Sequence, residues 1–367
     1  MRIAFVHEYL NQFGGAERML AVLAEMFPTA PIYTLLYDEK ATRGLFKGRD
    51  IKTSFLQKFP GAVRHHEWYP LLMPLAIEQF DFSAFDVVIS ISASFAKGII
   101  TKPTTRHICY CLTPPRFLWD NSQKFNKDFG FPFLIRFASQ PLISYLRMWD
   151  RSASDRIDEF WRISDFVGKR IQKYYHQTSR LIYPPVDISK FTISLPSGDL
   201  YDNLQFEPYF LMAGRLVSYK KFDVAIKAFN ELKLPLKIIG IGPEIANLKR
   251  LANKNIEFLG QVDDKELARR YREAKALIFP QEEDFGIVPL EAMASGRPVI
   301  AYRGGGAGET VIENETGIFF DTQTPQAIIE AVKKFDSNKF SPARCRARAE
   351  EFSTEVFRKN IFKYLNI

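Results

Sequence analysis

Short apolar runs alternate with helical patterns along the whole chain, and no other feature limits its possible folds so strongly. Alternating strands and helices favour parallel sheets that are covered by helices. The sequence therefore predicts an α/β fold. Its strands are predicted at 3–7, 32–35, 87–91, 107–111 and 181–183 in the first half, and at 209–213, 236–239, 256–259, 276–279, 299–301 and 318–320 in the second.

The length of 367 residues exceeds the size at which a single hydrophobic core usually stops growing, so two domains are expected. Turn-forming residues are concentrated at 195–203, which predicts a linker there. We place the first domain at 1–194 and the second at 195–352.

Composition excludes several classes of protein. The chain is 46% hydrophobic and 25% charged, as in ordinary globular proteins. It has no run of 18 apolar residues and no signal-peptide pattern at its start, which predicts a cytoplasmic protein without a transmembrane helix. Cys109, Cys111 and Cys345 are too few and too poorly spaced to indicate a disulfide framework or a zinc site.

The positive charge is concentrated in the first half. Residues 1–194 contain 25 Lys and Arg against 18 Asp and Glu, whereas 195–367 contain 25 against 24. Segments 68–75 and 129–137 mix bulky apolar residues with nearby Arg and Lys, as membrane-surface segments do, although both can equally pack internally. This pattern is unlike a groove-reading helix, so we expect an anionic membrane surface as partner and no nucleic acid. The location would be peripheral, on the inner face of the plasma membrane.

The stretch 281–298 carries two carboxylates, Glu283 and Glu291, around a predicted strand-to-helix turn. It follows the apolar run 276–279, and Pro289 suits the first turn of a helix. Glu283 is therefore predicted in the loop and Glu291 in the first helical turn. An ordinary helix start is the alternative, because acidic residues are favoured in any first turn.

The amides between these two carboxylates lie where an anion such as a diphosphate binds well, at the positive end of the helix dipole. They belong to Phe285, Gly286, Ile287 and Val288. Two carboxylates beside a diphosphate repel it unless each holds another group, and sugar hydroxyls are such groups. The pattern predicts a nucleotide-sugar site, with Glu291 accepting from the ribose and Glu283 from, or lying against, the transferred sugar.

Arg215 and Lys220 lie between a predicted strand end and a helix start. There the forked guanidinium group of Arg215 and the ammonium group of Lys220 can both bind a diphosphate. Solvated surface charge is the alternative. Gly242 belongs to a predicted turn near the nucleoside, and Val262 is assigned to the same site. Three further glycines, 304–306, form either another close-approach loop or a flexible connection.

Gly14 and Gly15 follow the first predicted strand and precede a helical pattern. Glycines at such a position let the backbone come close to a ligand. A tight strand-to-helix turn explains them equally well.

Together, these motifs resemble those of a known family. Residues 283–291 match the Glu-x7-Glu motif of the retaining family 4 glycosyltransferases, two-domain enzymes that use nucleotide-activated sugars. Residues 14–17 match the family's Gly-rich loop, and 214–220 match its diphosphate-binding segment. Residues 109–120 resemble the subgroup that builds bacterial surface polysaccharides of the O-antigen type, many of them mannosyltransferases. The resemblance covers nearly all of the chain.

The resemblance implies the GT-B fold, in which two Rossmann-like, doubly wound domains face each other across a cleft. The first domain would bind the acceptor and the second the nucleotide sugar, and a last helix within 353–367 would pack back on the first domain. The implied catalytic residues are Glu283, Arg215 and Lys220. The implied donor-binding residues are Gly14, Gly15, Gly242, Val262, Phe285, Gly286, Ile287, Val288 and Glu291.

The implied reaction is retaining transfer of a hexose, with mannose from GDP-mannose favoured, to a lipid-linked or polysaccharide acceptor in bacterial cell-surface glycan synthesis. No Asp-x-Asp motif is present, so neither a metal nor a cofactor is expected, the nucleotide sugar being a substrate. A glycan phosphorylase is an alternative, but nothing singles out a pyridoxal-bearing lysine.

Two positions depart from the subgroup. Leu112 stands where His is usual, beside the sugar and diphosphate, and Ile163 stands where Asn usually precedes Ser164. The first removes a polar contact, and the second suggests a different acceptor specificity. Leu112 also supports a second alternative, a non-catalytic partner subunit that binds a nucleotide sugar.

Overall fold

A computed structural model describes residues 1–120, 133–193 and 208–367, with the backbone alone for 133–139. The chain divides into two compact units, Met1–Tyr183 and Pro184–Ile367. The predicted linker 195–203 lies outside the described residues, as do residues 129–132 of the second candidate membrane segment.

The first unit is built on a seven-stranded parallel sheet in the order β3-β2-β1-β4-β5-β6-β7. Its central strands are buried on both faces because helices cover both sides of such a sheet. All six residues of β4 are buried, for example. The strands are β1 Ile3–Leu10, β2 Ile32–Tyr37, β3 Ile51–Thr53, β4 Val87–Ser92, β5 Arg106–Cys111, β6 Glu159–Arg162 and β7 Arg180–Leu181.

Four helices accompany this sheet in the described residues. The helix α1 begins at Gly15, directly after Gly14, and it buries Met19, Leu20 and Leu23 on one face. Ser164 caps the fourth helix by accepting from the Val167 amide. The four helices are α1 Gly15–Met26, α2 Met73–Glu78, α3 Phe133–Ser154 and α4 Asp165–Tyr175.

The second unit has a six-stranded parallel sheet in the order β10-β9-β8-β11-β12-β13. The strands β8, β11 and β12 contribute Phe210, Ile278 and Ile300 to one buried cluster, against which Phe229 and Ile328 pack from helices. The strands are β8 Phe210–Ala213, β9 Leu236–Ile239, β10 Ile256–Gly260, β11 Ala276–Phe279, β12 Val299–Tyr302 and β13 Gly317–Phe320.

The helices of the second unit connect or follow these strands. The predicted amphipathic stretch at the end of the chain forms a helix that buries Phe357, Ile361 and Leu365, four residues apart, and Ser353 caps it. The helices are α5 Phe222–Leu232, α6 Ile245–Leu251, α7 Asp264–Glu273, α8 Ile287–Ala294, α9 Ala307–Thr310, α10 Pro325–Lys334, α11 Pro342–Glu350 and α12 Thr354–Leu365.

The predicted α/β class and the two Rossmann-like sheets are confirmed, and every predicted strand is present. The sequence analysis missed β3 and β6. The strand β3 is short and lies at the edge of its sheet. The strand β6 reads Glu-Phe-Trp-Arg, so its apolar run is only two residues long. In the structure, Glu159 pairs with Arg106 on the neighbouring strand.

The strand order reverses between β1 and β4 in the first sheet and between β8 and β11 in the second. In open parallel sheets, ligands bind beyond the carboxyl ends of the strands at such a reversal. In each unit, we therefore expect a ligand to bind beyond the carboxyl ends of the two strands at the reversal.

Candidate functional site

The candidate site of the second unit lies where β8 and β11 end side by side. The loop after β8 carries Arg215 and Lys220, and the loop after β11 carries Glu283. Because adjacent parallel strands end at the same edge, these two loops are neighbours. The structure thus brings together two segments that lie far apart in the sequence.

Lys220 and Glu283 form an ion pair, with Nζ 2.9 Å from Oε1. The two side chains are only 12% and 19% exposed. Burial lowers the pKa of Lys220, but the charge of Glu283, followed by Tyr219 and Glu291, raises the pKa by more. The pKa of Lys220 therefore lies above its ordinary value, and its ammonium group is charged at neutral pH.

Arg215 follows the end of β8 and is exposed. Among the described residues, its guanidinium group has no hydrogen bond or ion pair. Gly214 adopts a φ of +144°, and a Cβ built there would lie 3.0 Å from Nζ of Lys220. Glycine at this position therefore leaves room for the Lys220 ammonium.

The helix α8 begins after Gly286, whose φ of 89° and ψ of 78° place it in the left-handed region that favours glycine. Ile287 and Val288 form its first turn together with Pro289. Glu291 is the fifth helical residue, so the prediction of a first-turn carboxylate is wrong. The helix starts at Ile287, two residues before the proline, which carries Glu291 beyond the first turn.

The carboxylate of Glu291 is buried, and its Oε2 accepts a hydrogen bond of 2.9 Å from the Tyr271 hydroxyl. Tyr271 lies in α7 and packs edge-on against Phe191. The sequence analysis missed Tyr271. A usable signal existed, because it is the one aromatic residue in a helix that is otherwise mostly charged.

The loop that carries Glu283 is held by its neighbours. The Gly306 amide donates to the Glu283 carbonyl at 2.8 Å, and Gln323 Nε2 donates to the Pro280 carbonyl at 2.7 Å. A Cβ on Gly305 would overlap the Glu283 backbone. The glycines at 304–306 are therefore a close-approach loop, not merely a flexible connection.

Gln281 is a second residue that the sequence analysis missed as part of this site. It is buried, and its Nε2 lies 3.3 Å from Oε1 of Glu283, the oxygen that Lys220 also contacts.

Gly242 and Val262 follow β9 and β10, at the same edge of the sheet. A Cβ on Gly242 would overlap the Leu216 backbone, so the loop after β9 packs directly on the loop that carries Arg215. Val262 is half-buried, one strand further from the reversal. Their contact with a donor remains a prediction.

In the first unit, Gly14 and Gly15 follow β1 at the reversal of that sheet. Gly14 is the residue before helix α1, and a Cβ there would lie 3.0 Å from Oε2 of Glu17. Glu17 is buried and lies 3.5 Å from Nε2 of the buried His7. The glycine loop thus covers a buried histidine and carboxylate pair.

Leu112 follows β5 directly and is half-buried. Its amide donates to the Ser92 carbonyl at 2.7 Å, which continues the pairing of β5 with β4. Among the described residues, no group of three or more His, Cys, Asp and Glu side chains is arranged to hold a metal ion. In the same part of the chain, no helix combines the length and apolar character needed to span a membrane.

Residues 203–352 match the family model described as "Glycosyl transferases group 1". An uncharacterized glycosyltransferase of Methanocaldococcus jannaschii is 32% identical over 212 residues, which is 56% of this chain and 58% of the relative. The chain therefore spans less than two thirds of that relative's length. The alpha-1,3/1,6-mannosyltransferase ALG2 of Mus musculus is 25% identical over 77% of this chain and 73% of its own.

A third relative is the GDP-mannose-dependent alpha-(1-6)-phosphatidylinositol monomannoside mannosyltransferase of Mycolicibacterium smegmatis. It is 34% identical over 34% of this chain and 37% of its own. Among solved structures, Anabaena HepE in complex with UDP covers 100% of both chains, with a TM-score of 0.71 and 16% identity. That likeness shows the fold alone, which is the GT-B fold of two Rossmann-like domains.

The family match covers the sheet edge that carries Arg215, Lys220, Glu283 and Glu291. Residues 203–352 of the second unit are therefore similar to the glycosyl transferases of group 1.

Proposed function

We propose that this protein is a retaining hexosyltransferase that moves mannose from GDP-mannose to a lipid-linked or polysaccharide acceptor in cell-surface glycan synthesis. The observation that carries the proposal is the half-buried Lys220–Glu283 ion pair at the reversal of the second sheet, with the exposed Arg215 in the same loop as Lys220. This arrangement offers cations for a diphosphate and a carboxylate for sugar hydroxyls at one sheet edge. The choice of mannose follows the mannosyltransferases of mouse and Mycolicibacterium smegmatis.

In the proposed reaction, the bond between the anomeric carbon and the diphosphate oxygen breaks. A bond between that carbon and an acceptor hydroxyl oxygen forms on the same face, which retains the configuration. The hydroxyl proton passes to the departing diphosphate, and the nucleoside diphosphate leaves. No covalent intermediate with the protein is part of this proposal.

The chain's own residues would stabilise the charge that develops on the leaving group. Donors that already point at such a charge need no reorganisation during the reaction, and they act strongly where water is excluded. Arg215 and Lys220 would bind the diphosphate, together with the amides from Phe285 to Val288 at the start of α8. With these groups supplying the positive charge, the proposal includes no metal ion.

Each of the two carboxylates would accept hydrogen bonds from a different sugar of the donor. Glu291 is oriented by the Tyr271 hydroxyl, and its carboxylate would accept from the ribose of the nucleotide. Glu283 is held at Oε1 by Lys220, so its other oxygen would accept from the transferred hexose.

We place the protein in the cytoplasm, peripheral to an anionic membrane surface, where a lipid-linked acceptor is accessible. Trp68, Leu71 and Leu75 of segment 68–75 are 64%, 55% and 59% exposed, and Lys58 and Arg64, which precede this segment in the chain, are also exposed. Exposed apolar side chains near cations are typical of membrane-surface segments. The side chains of the other candidate segment, 129–137, lie outside the described part of the chain.

The test is a donor screen followed by a transfer assay. Thermal shifts are measured with GDP, UDP and ADP and their hexose conjugates, because HepE was solved with UDP. A nucleotide at 100 times its dissociation constant stabilises the folded protein by about 2.7 kcal/mol, which is readily detected. We expect GDP-mannose to give the largest shift and to support transfer in the presence of excess EDTA.

A larger shift with another nucleotide sugar would overturn the choice of donor. Loss of transfer in EDTA with rescue by magnesium or manganese would overturn the metal-free mechanism. Leu112 favours one rival function, a non-catalytic subunit that binds the donor. Tight donor binding with neither transfer nor donor hydrolysis would identify that rival.

A further inference from the structure

Gln281 lies two residues before Glu283 and is only 2% exposed. Its amide nitrogen lies 3.3 Å from Oε1 of Glu283, and Nζ of Lys220 lies 2.9 Å from the same oxygen. One oxygen of the Glu283 carboxylate therefore has two donors. Among the described residues, the other oxygen, Oε2, has no hydrogen-bond partner, which leaves it available to a ligand.

The orientation of the Gln281 amide follows from the chemistry of its neighbour. An ionised carboxylate only accepts hydrogen bonds, so the amide must present its NH₂ group to Glu283. The amide oxygen then points elsewhere, and it is buried without a hydrogen-bond partner in the described part of the chain. A buried acceptor without a donor destabilises the folded state.

Packing alone does not account for a glutamine at this position. Methionine has nearly the same length and flexibility, and it would fill the space without leaving a polar atom unpaired. The surrounding loop is already held through Pro280 and the Glu283 carbonyl, so the backbone does not need the amide either. The contribution specific to glutamine is its hydrogen bond to the Glu283 carboxylate.

We propose that Gln281 is a positioning residue for sugar transfer, which with Lys220 fixes Oε1 of Glu283 and thereby directs Oε2 at a hydroxyl of the hexose. This inference rests on the proposed function, because it needs Glu283 to contact the donor sugar. A single donor from Lys220 leaves the carboxylate free to rotate about its Cγ–Cδ bond. The second donor removes that freedom and pre-organises the carboxylate for the sugar.

The first experiment is the substitution Gln281→Met, with kcat, donor KM and melting temperature measured together. We expect kcat to fall by roughly 10-fold or more, the usual effect of losing one hydrogen bond to a charged group. The melting temperature should stay the same or rise, because the unpaired buried oxygen is removed. Gln326→Met is the matched control, since Gln326 donates to Glu330 at 3.2 Å on the exposed surface of the same unit.

The second experiment is Gln281→Glu, assayed against pH beside the wild type. A protonated carboxyl at 281 donates to Glu283 as the amide does, whereas an ionised one repels it. Lys220 faces the same oxygen, and Glu291 and Tyr219 face Lys220, so the new carboxyl enters a coupled group. The ratio of variant to wild-type kcat should therefore rise as the pH is lowered. A purely structural role predicts no change in that ratio.

Glu283→Gln separates failure of this inference from failure of the proposed function. Absence of transfer in the wild type would overturn the proposed function and this inference with it. Unchanged transfer in Glu283→Gln would remove Glu283 from the reaction and overturn this inference, whereas the proposed transferase function would stand. Strong loss in Glu283→Gln together with wild-type kinetics in Gln281→Met would overturn the positioning role alone. A lower melting temperature in Gln281→Met without a kinetic change would also overturn it, because Gln281 would then serve packing only.

Discussion

The Tyr271 hydroxyl donates a 2.9 Å hydrogen bond to the buried carboxylate of Glu291, which joins α7 to α8 across 20 residues of sequence. This bond orients the carboxylate within the protein itself, without help from a ligand. Under the proposed function, the carboxylate so oriented would meet the ribose of the donor nucleotide.

Tyr271→Phe should weaken binding of the donor nucleotide and leave the fold intact. The ring keeps its packing against Phe191, whereas the loss of one hydrogen bond to a charged group costs about 1.5–3 kcal/mol. Calorimetric titration with GDP and GDP-mannose measures the change. Tyr209→Phe is the control, because this buried hydroxyl donates to the Arg270 carbonyl at 2.9 Å in the same unit. Equal affinity in the two variants would contradict the role of Glu291.

Arg215→Ala and Lys220→Ala should each raise the barrier to transfer by roughly 2.7–4 kcal/mol, as the loss of one donor to a developing charge does. Arg215 is exposed, so its removal should leave the melting temperature unchanged. Steady-state measurements of kcat in both variants test this prediction. Lys227→Ala, on the exposed face of α5, provides the control. Wild-type turnover in either site variant would exclude that residue from catalysis.

The buried pair of His7 and Glu17 should make the stability of the first unit depend on pH. Burial lowers the pKa of His7, but the hydrogen bond and charge of Glu17, with Glu8 contributing, raise it by more. Burial likewise raises the pKa of Glu17, but the hydrogen bond and charge of His7 lower it by more. Both partners are therefore charged between their ordinary pKa values of 4.5 and 6.5.

The contribution of His7 to the unfolding free energy is complete below pH 6.5, and it is lost as the pH rises through the raised pKa of His7 in the folded state. The Glu17 contribution is complete above pH 4.5 and is lost as the pH falls through the lowered pKa. The difference in unfolding free energy between wild type and His7→Gln should peak between these values. Above the peak it should decline by at most about 1.4 kcal/mol per pH unit. Denaturant titrations at several pH values measure it, and a pH-independent difference would mean that His7 is neutral.

Leu112→His should raise donor affinity or transfer. The resemblance places a polar residue here, and a histidine would supply one hydrogen bond to a charged group, on the order of 1.5–3 kcal/mol. Leu112 is only half-buried and its amide stays paired with Ser92, so the strand end should tolerate the change. Turnover and melting temperature are measured together. A lower melting temperature with no kinetic gain would show that Leu112 serves packing.

Vesicles that contain anionic lipid should bind the protein, and added salt should weaken that binding because the charges are exposed. Replacing Trp68 and Leu71 together by Ala should reduce binding without lowering the melting temperature, since both side chains face solvent. Replacing the buried Met73 by Ala is the contrasting control, which should lower the melting temperature instead. Equal binding to neutral vesicles would argue against the anionic surface.

The elements that the sequence predicts well carry a local signal. The strands of both sheets are short apolar runs between turn residues, and eleven of them are recognisable from the residues alone. The stretch from Ala276 to Pro298 indicates a strand, a loop and a helix for the same reason. The position of Glu291 is the error there, because helix boundaries depend on the local backbone and not on proline alone.

Only the tertiary structure decided which of these local elements meet. Lys220 reaches Glu283 because β8 and β11 are neighbours in the second sheet, although β9, β10 and several helices lie between them in the sequence. Tyr271 reaches Glu291 through the packing of two helices, and Glu159 at the start of β6 pairs with Arg106 of the neighbouring strand β5. Periodicity reports which face of an element is apolar, whereas strand order and helix packing depend on contacts between residues far apart in the chain.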